Sequence, residues 1–328
     1  MQLHDPIRRR LLAVLLVIGG LRLGFGPVPA AQAKPKTVNG FDLTNSTIPA
    51  GKILSGGVPR DGIPSLTLPK FNSPAEVRFL RPDDQVVSLT VGGETRAYPL
   101  RILVWHEIVN DTFGYTPVAV TYCPLCGTAM VFDRVYDGLL LSFGVSGLLY
   151  QSDVLMYDRQ TESLWSQLGM VGISGKYAGT PLRWLPSEQM TWKAWREKYP
   201  LGRVFSTESG GRDYTIDAYT EYEESGRPMF PVPTHRRDLN SKDWIAGIIV
   251  GGQAKAYRLR SLPDGESVDD EIAGVQIRIR YERRNRSFIA EHRDTGERIP
   301  SVVAYWFAWQ AFYPATELQL RALRLDRG

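Results

Sequence analysis

The stretch VTYCPLCGTAMVFD, residues 120–133, contains the only two cysteines of the 328-residue chain, Cys123 and Cys126. The residues on both sides of the cysteines are β-branched or aromatic at alternate positions, which predicts two strands. The run between the strands is typical of a tight turn, because Pro124 fixes its φ and Gly127 accepts a positive φ. Such a turn aims both sulfurs to one side, as in a metal knuckle.

A complete knuckle site uses two such turns, so this chain must supply the other ligands from elsewhere. His106 precedes the knuckle strand and is the predicted third ligand, with a hydrogen-bonded histidine of the frame as the alternative. Asp153 is predicted to be a further ligand or a carboxylate that orients His106, unless it caps a turn. Thiolates with an imidazole favour Cu or Zn over Mg or Ca. The sequence therefore predicts a Cu or Zn site made by Cys123, Cys126, His106 and Asp153.

Three further residues are candidates for the same site, each with a structural alternative. His235 lies in the run PTHRRD, near the start of the second half of the chain. Met156 offers a thioether that suits Cu(I), although its alternation with apolar neighbours is typical of a core position. Ser146, in GVSG, is a candidate for lining a pocket, but it lacks the strand-turn-helix setting of a catalytic nucleophile.

An internal repeat organises the chain. The run VGGETRAYPLR at residues 91–101 recurs as VGGQAKAYRLR at residues 250–260, an offset of 159. A second similarity relates WKAWREKYP, residues 192–200, to WFAWQAFYP, residues 306–314. This period is too long for a solenoid, so the sequence predicts two related halves. The predicted fold is mainly β (β-rich α+β), with two β-rich halves that share one core and are each closed by a short aromatic helix.

The repeat also separates residues that are needed only for folding from candidate functional residues. At the offset of 159, Gly265 aligns with His106 and Glu282 aligns with Cys123. Residues needed only for folding are expected in both halves, so a residue present in one half is a candidate for function.

The N-terminus has the features of an export signal. A basic start is followed by an apolar run at residues 11–21 and by the small residues Ala31-Gln32-Ala33. We expect cleavage after Ala33 and a periplasmic or secreted protein with no stable membrane span, the alternative being an uncleaved anchor. The predicted segments are a signal peptide (1–33), an extended leader (34–70), a first β-rich half with the CPLC site (71–206), a connecting loop that lies over the site (207–236), a second β-rich half (237–320) and a tail (321–328).

Charge and composition limit the partners. The net charge of +4 comes largely from the arginines of the predicted signal, and the rest of the chain has no basic cluster on an aromatic platform. Nucleic acid is therefore excluded as a partner, and a metal ion or a small molecule is expected. One alternative function is thiol–disulfide redox chemistry by the two cysteines, although that chemistry usually places CxxC at a helix N-terminus. Another alternative is a small-ligand module with an aromatic cleft, including Trp105 and Trp165, in which the cysteines only brace a turn.

Three runs carry a resemblance to a known family. They are HEIVND at residues 106–111, VTYCPLCGTAMVFDR at residues 120–134 and FGVSGLLYQSDVLMYDRQTESLWSQ at residues 143–167. Together they resemble the bacterial domain of unknown function 3179 family (DUF3179), and the similarity spans roughly residues 49–318. The resemblance implies an exported β-rich domain and supplies no activity.

Overall fold

The structure is a computed structural model that describes residues 37–216 and 218–320. The predicted signal peptide (1–33) and tail (321–328) lie outside the described residues. Within the described ranges, no helix is both long enough and apolar enough to cross a membrane.

Strands dominate the structure, at 43% against 12% helix. The strands up to residue 205 are β1 (Thr37–Val38), β2 (Phe41–Asp42), β3 (Ile53–Ser55), β4 (Leu66–Thr67), β5 (Phe71–Asn72), β6 (Gln85–Val91), β7 (Glu94–Pro99), β8 (Ile108–Phe113), β9 (Thr116–Cys123), β10 (Thr128–Asp133), β11 (Val135–Tyr136), β12 (Leu139–Leu140), β13 (Phe143–Tyr150), β14 (Asp153–Asp158), β15 (Leu164–Ser166), β16 (Val171–Ser174), β17 (Trp184–Leu185), β18 (Glu188–Thr191) and β19 (Arg203–Phe205).

The remaining strands are β20 (Trp244–Val250), β21 (Gln253–Arg258), β22 (Ser267–Ile272), β23 (Val275–Glu282), β24 (Ser287–His292), β25 (Ser301–Tyr305) and β26 (Glu317–Gln319). The helices are short: α1 (Leu100–His106), α2 (Trp192–Lys198), α3 (Thr220–Glu224) and α4 (Trp306–Phe312). Single 3₁₀ turns occur at Ala50–Lys52, Thr207–Ser209 and Leu259–Ser261.

Five sheets of three to five strands have a propeller-like arrangement. Their strand orders are β17-β10-β9-β8-β4, β16-β15-β14-β13-β3, β18-β6-β7-β19-β5, β25-β20-β21-β26 and β22-β23-β24. The predicted mainly β fold with few short helices is confirmed.

The two halves have matching elements. Strands β6 to β10 begin and end 159 positions before β20 to β24, and α2 lies 114 positions before α4. The pairing matches as well: β18 is antiparallel to β6 as β25 is to β20, and β19 is parallel to β7 as β26 is to β21. Aromatic helices α2 and α4 therefore follow equivalent strands.

Each half also donates a backbone hydrogen bond to a β-turn of the other half. The Tyr305 N–H, where α4 begins, donates to the Cys126 carbonyl at 2.9 Å. The Thr191 N–H, where α2 begins, donates to the Asn285 carbonyl, also at 2.9 Å. Asn285 lies 159 positions after Cys126, so each half fixes the β-turn of the other. The knuckle is thus held by the second half, although its cysteines belong to the first.

Candidate metal centre

The knuckle turn lies between β9 and β10, which pair with Thr128 opposite Cys123. The Cys126 N–H donates to the Cys123 carbonyl at 3.2 Å and closes the turn. Gly127 has φ +67°, and a Cβ built there would come within 2.5 Å of the Trp244 ring. Glycine is therefore required twice, by the backbone conformation and by the close approach of the indole.

Three ligand atoms converge at this turn. The Sγ atoms of Cys123 and Cys126 and one carboxylate oxygen of Asp153 all lie within 4.8 Å of one another, and all three residues are buried. Both cysteines are free thiols. Bonds of about 2.3 Å at tetrahedral angles separate two zinc-bound sulfurs by about 3.8 Å. The cluster therefore has the size that a single ion needs after a small contraction.

Asp153 is presented by a strained turn. Gln151 and Ser152 join β13 to β14 with φ of +54° and +68°. Such two-residue turns favour Asn-Gly, because other side chains are strained at positive φ. The Ser152 carbonyl accepts a hydrogen bond from the Cys126 thiol at 3.3 Å. The strained turn thus contacts the knuckle directly through Ser152, the residue before Asp153.

Two polar atoms of this turn lack ordinary partners. The Oδ2 atom of Asp153 accepts from the Leu168 N–H at 2.8 Å, whereas its buried Oδ1 atom has no conventional hydrogen-bond partner, although the thiols of Cys123 and Cys126 lie close enough to the carboxylate to favour its charged form. The buried hydroxyl of Ser152 has none either. An unsatisfied buried polar atom costs about 1–3 kcal/mol. A cation held by the two sulfurs and this carboxylate would offset that cost.

Burial shifts the acids of the site toward their protonated forms. It raises the pKa of Asp153 to about 7. It also raises the pKa of Glu107 to about 8, and the charge of Asp153 adds to this effect. The pKa of the Cys123 thiol is raised mainly by burial, with a contribution from Asp153. The pKa of Cys126 is raised well above its ordinary value by burial and by Cys123. A bound dication would reverse these shifts, because it favours thiolate and carboxylate.

Glu107 is a buried acid that the sequence interpretation did not select. It ends α1 with φ +56°, an uncommon conformation for a residue other than glycine. Its N–H donates to the Leu103 carbonyl and its carbonyl accepts from the Tyr122 N–H, both at 2.7 Å. The repeat aligns Glu107 with Glu266 and so pointed to a frame residue. The side chains differ in environment, however, because Glu107 is buried and Glu266 is exposed.

His106 lies outside the cluster of ligand atoms. Its Nδ1 atom is 2.7 Å from the Pro64 carbonyl, and its Nε2 atom is 2.7 Å from the Tyr214 hydroxyl. A carbonyl only accepts, so Nδ1 carries the proton and Nε2 accepts from Tyr214. Burial lowers the pKa of His106, in keeping with a neutral ring. The structure therefore brings Cys123, Cys126 and Asp153 together and engages both nitrogens of His106 elsewhere.

The other three candidates have surroundings typical of structural residues. Met156 is fully buried in the core and pairs with Trp165 across β14 and β15. The Ser146 hydroxyl donates to the Leu155 carbonyl and accepts from the Leu148 N–H. His235 is exposed, and its backbone N–H donates to Gln310.

The segment 207–236 contacts the knuckle. The Tyr222 hydroxyl donates to the Leu125 carbonyl at 2.7 Å, and the Lys242 ammonium lies 3.3 Å from the centre of the Tyr222 ring. Through Tyr214 the same segment is bonded to His106. In this structure His106 therefore helps to hold the segment 207–236 in place through its hydrogen bond with Tyr214.

The fold and the site together define a class: a mainly β protein of propeller-like arrangement with a buried cluster of two cysteines and one aspartate. The chain belongs to the family described as "Protein of unknown function (DUF3179)", whose family model matches residues 60–316. This match confirms the resemblance carried by the three sequence runs. Comparisons with curated proteins and with solved structures gave no match.

Proposed function

We propose that this is an exported metal-binding protein in which Cys123, Cys126 and Asp153 hold one Zn or Cu ion. One observation carries the proposal: two sulfurs and a carboxylate oxygen lie buried within 4.8 Å of one another, and Asp153 Oδ1 lacks a conventional hydrogen-bond partner. A carboxylate ligand favours Zn(II) over Cu(I). Three protein ligands leave a fourth position for water or a substrate, as catalytic zinc sites do. Export is supported by the signal predicted at residues 1–33.

The second half provides an internal comparison for the cysteine pair. We infer that the halves arose by duplication, since their strands match at a constant offset. In the second half the positions of Cys123 and Cys126 are taken by Glu282 and Asn285, whose side chains are bonded at 2.6 Å. A turn of this kind is thus closed without sulfur. Bracing the turn alone does not account for two buried thiols beside a buried carboxylate.

The thiol chemistry favours metal binding over disulfide exchange. Exchange needs a thiolate, and the pKa of both thiols is raised by burial. The knuckle is followed by β10 rather than by a helix, so no helix dipole stabilises a thiolate there. A metal ion overcomes the same obstacle by displacing the protons.

The proposal is tested by metal content. The protein is purified anaerobically, loaded with Zn(II) or with Cu(I) under reducing conditions, and assayed by elemental analysis. We expect about one ion per chain, and its loss in Cys123→Ser and Asp153→Asn. Glu282→Ser is the matched control, because it changes the equivalent position of the second half and should keep the ion.

His106→Gln separates two versions of the site. We expect this variant to retain the ion, since the ring nitrogens of His106 contact Pro64 and Tyr214. Loss of the ion from His106→Gln, with the fold intact by circular dichroism, would restore the histidine as a ligand. A wild-type protein that takes up neither ion would reject the proposed function.

A further inference from the structure

A cavity of about 640 Å³ lies between the two halves, beside the knuckle. Its lining includes equivalent residues from both halves, namely the pairs Leu100 and Leu259, Tyr122 and Tyr281, and Gln85 and Trp244. Tyr122 directly precedes Cys123, and Trp244 contacts Gly127. The size of the cavity is that of a small-molecule site.

The second half lines this cavity with the turn that corresponds to the knuckle. Residues 282–286, ERRNR, occupy the positions of residues 123–127, CPLCG. Arg286 therefore replaces Gly127, and it keeps a positive φ of +50°. An arginine in this conformation is strained, whereas a glycine is not. Such strain makes the Arg286 side chain a candidate for function.

Arg286 reaches the cavity without a partner. Its guanidinium makes no hydrogen bond or ion pair with any residue in the described ranges. Arg283 lines the same cavity and donates one bond, from Nη2 to the Leu262 carbonyl at 3.1 Å. Both guanidinium groups lie close enough to Tyr281 to oppose the rise of its pKa that burial causes. Two cations therefore line the cavity on the side of Tyr281.

An aromatic surface lies in the same cavity. The Trp244 ring is 38% exposed and packs on Tyr305 with ring centres 4.2 Å apart. The first half has Gln85 at the position of Trp244. An exposed indole can stack on a planar ring. The second half thus adds two features that the first half lacks, an exposed indole and a pair of arginines.

Acidic residues also line the cavity. Asp84 is bonded to Arg101 at 2.9 Å, and Asp83, Glu223 and Glu224 supply further carboxylates. They disfavour a ligand with negative charge over its whole surface. An acidic group on the ligand is therefore expected on the side of the cavity that Arg283 and Arg286 line.

We propose that the cavity binds a ring-bearing small molecule with one acidic group, its ring against Trp244 and its acid on Arg283 and Arg286. Guanidinium groups bind carboxylate and phosphate with paired hydrogen bonds, and either acid fits this description. The proposal does not depend on the metal, because none of these residues belongs to the cysteine cluster.

The test is a titration of the mature protein, followed by tryptophan fluorescence and calorimetry. The probes are 3-phenylpropionate, phenyl phosphate and phenethylamine, which share a ring and differ in the charged group. We expect at least one acid to bind and phenethylamine to bind at least ten-fold more weakly. Comparing the two acids shows whether carboxylate or phosphate is preferred. Phenethylamine binding as tightly as both acids would overturn the proposal.

Variants locate the site. Arg286→Gly removes the guanidinium but restores the residue found at Gly127, so it should fold, and we expect it to weaken acid binding roughly ten-fold or more. Arg284→Gly is the matched control, because Arg284 belongs to the same exposed turn but does not line the cavity. Equal binding by wild type and Arg286→Gly contradicts the assignment. Cys123→Ser should bind the probes normally, which separates this result from the fate of the metal site.

Discussion

The two halves share a frame and differ in their turns. In the first half the Tyr98 hydroxyl donates to Asp111 at 2.5 Å, and 159 positions later the Tyr257 hydroxyl donates to Asp270 at 2.6 Å. The turns at 123–127 and 282–286 follow equivalent strands, yet the first is buried and the second is largely exposed. The residues that hold strands together are therefore repeated, whereas the residues with candidate chemistry are not.

A second difference is an insertion. The first half places residues 134–187 between β10 and β18, whereas the second joins β24 to β25 through residues 293–300. The insertion contains β13 and β14, whose connecting turn presents Asp153. The cluster of Cys123, Cys126 and Asp153 thus combines a turn common to both halves with a carboxylate from a segment that only the first half contains.

The largest expected effect tests the shared frame. Asp111→Ala leaves the buried Tyr98 hydroxyl without its acceptor and removes one of the two ion-pair partners of Arg96, so it should lower the free energy of unfolding by about 3–5 kcal/mol. Asp270→Ala should cost less, about 1–2 kcal/mol, because the Asp270 side chain is 13% exposed against 5% for Asp111. Urea unfolding of both variants measures the difference. Equal costs would show that the two networks are equivalent in energy as well as in position.

The next effect tests why the knuckle needs glycine. Gly127→Ala introduces strain at φ +67° and a clash with the Trp244 ring, so we expect a loss of about 2–4 kcal/mol. Gly92→Ala is the control: its φ is +58°, but nothing lies within 4 Å of the added Cβ. It should cost only about 1 kcal/mol. Thermal unfolding compares the two variants, and a Gly127→Ala protein as stable as Gly92→Ala would mean that the indole moves aside freely.

The acids of the site predict how pH affects the metal-free protein. The folded state holds protons on Asp153 to about pH 7 and on Glu107 to about pH 8. The unfolded chain releases them near their ordinary pKa values, about 4. Between about pH 4 and pH 8 the folded state binds more protons, so the free energy of unfolding falls as pH rises. We expect a fall of a few kcal/mol over this range, since each pKa unit of difference between the folded and unfolded states corresponds to about 1.4 kcal/mol.

Urea unfolding of the metal-free protein at several pH values measures this fall. Asp153→Asn should flatten the profile, and Glu266→Gln, which changes the exposed counterpart of Glu107, serves as the control. Loading with Zn(II) should reverse the trend, because the ion replaces the protons. A metal-free protein whose stability rises from pH 4 to pH 8 would contradict the assigned environment of these acids.

The sequence was sufficient to predict the strands of the fold and part of the candidate site. Alternating β-branched and aromatic residues predicted the strands on both sides of the cysteines, which are β9 and β10, because those signals are local. The proximity of Asp153 to the cysteines was predicted only as one option, since it depends on how two sheets pack. Glu107 was missed because its alignment with Glu266 conceals a difference in burial. The contacts of His106 with Pro64 and Tyr214 are likewise long-range, and no spacing in the sequence reports them.

The smallest effect concerns the turn of the second half. Arg286→Gly should relieve the strain at φ +50° and raise the free energy of unfolding by up to about 1 kcal/mol, less the entropy that glycine adds to the unfolded chain. Arg284→Gly, outside the positive-φ region, should instead lower it by a few tenths to about 1 kcal/mol. Denaturant midpoints of the two variants give the sign directly. A gain in stability together with weaker acid binding would show that the second half keeps a strained arginine for its cavity, whereas a loss in both variants would mean that Arg286 stabilises its own turn.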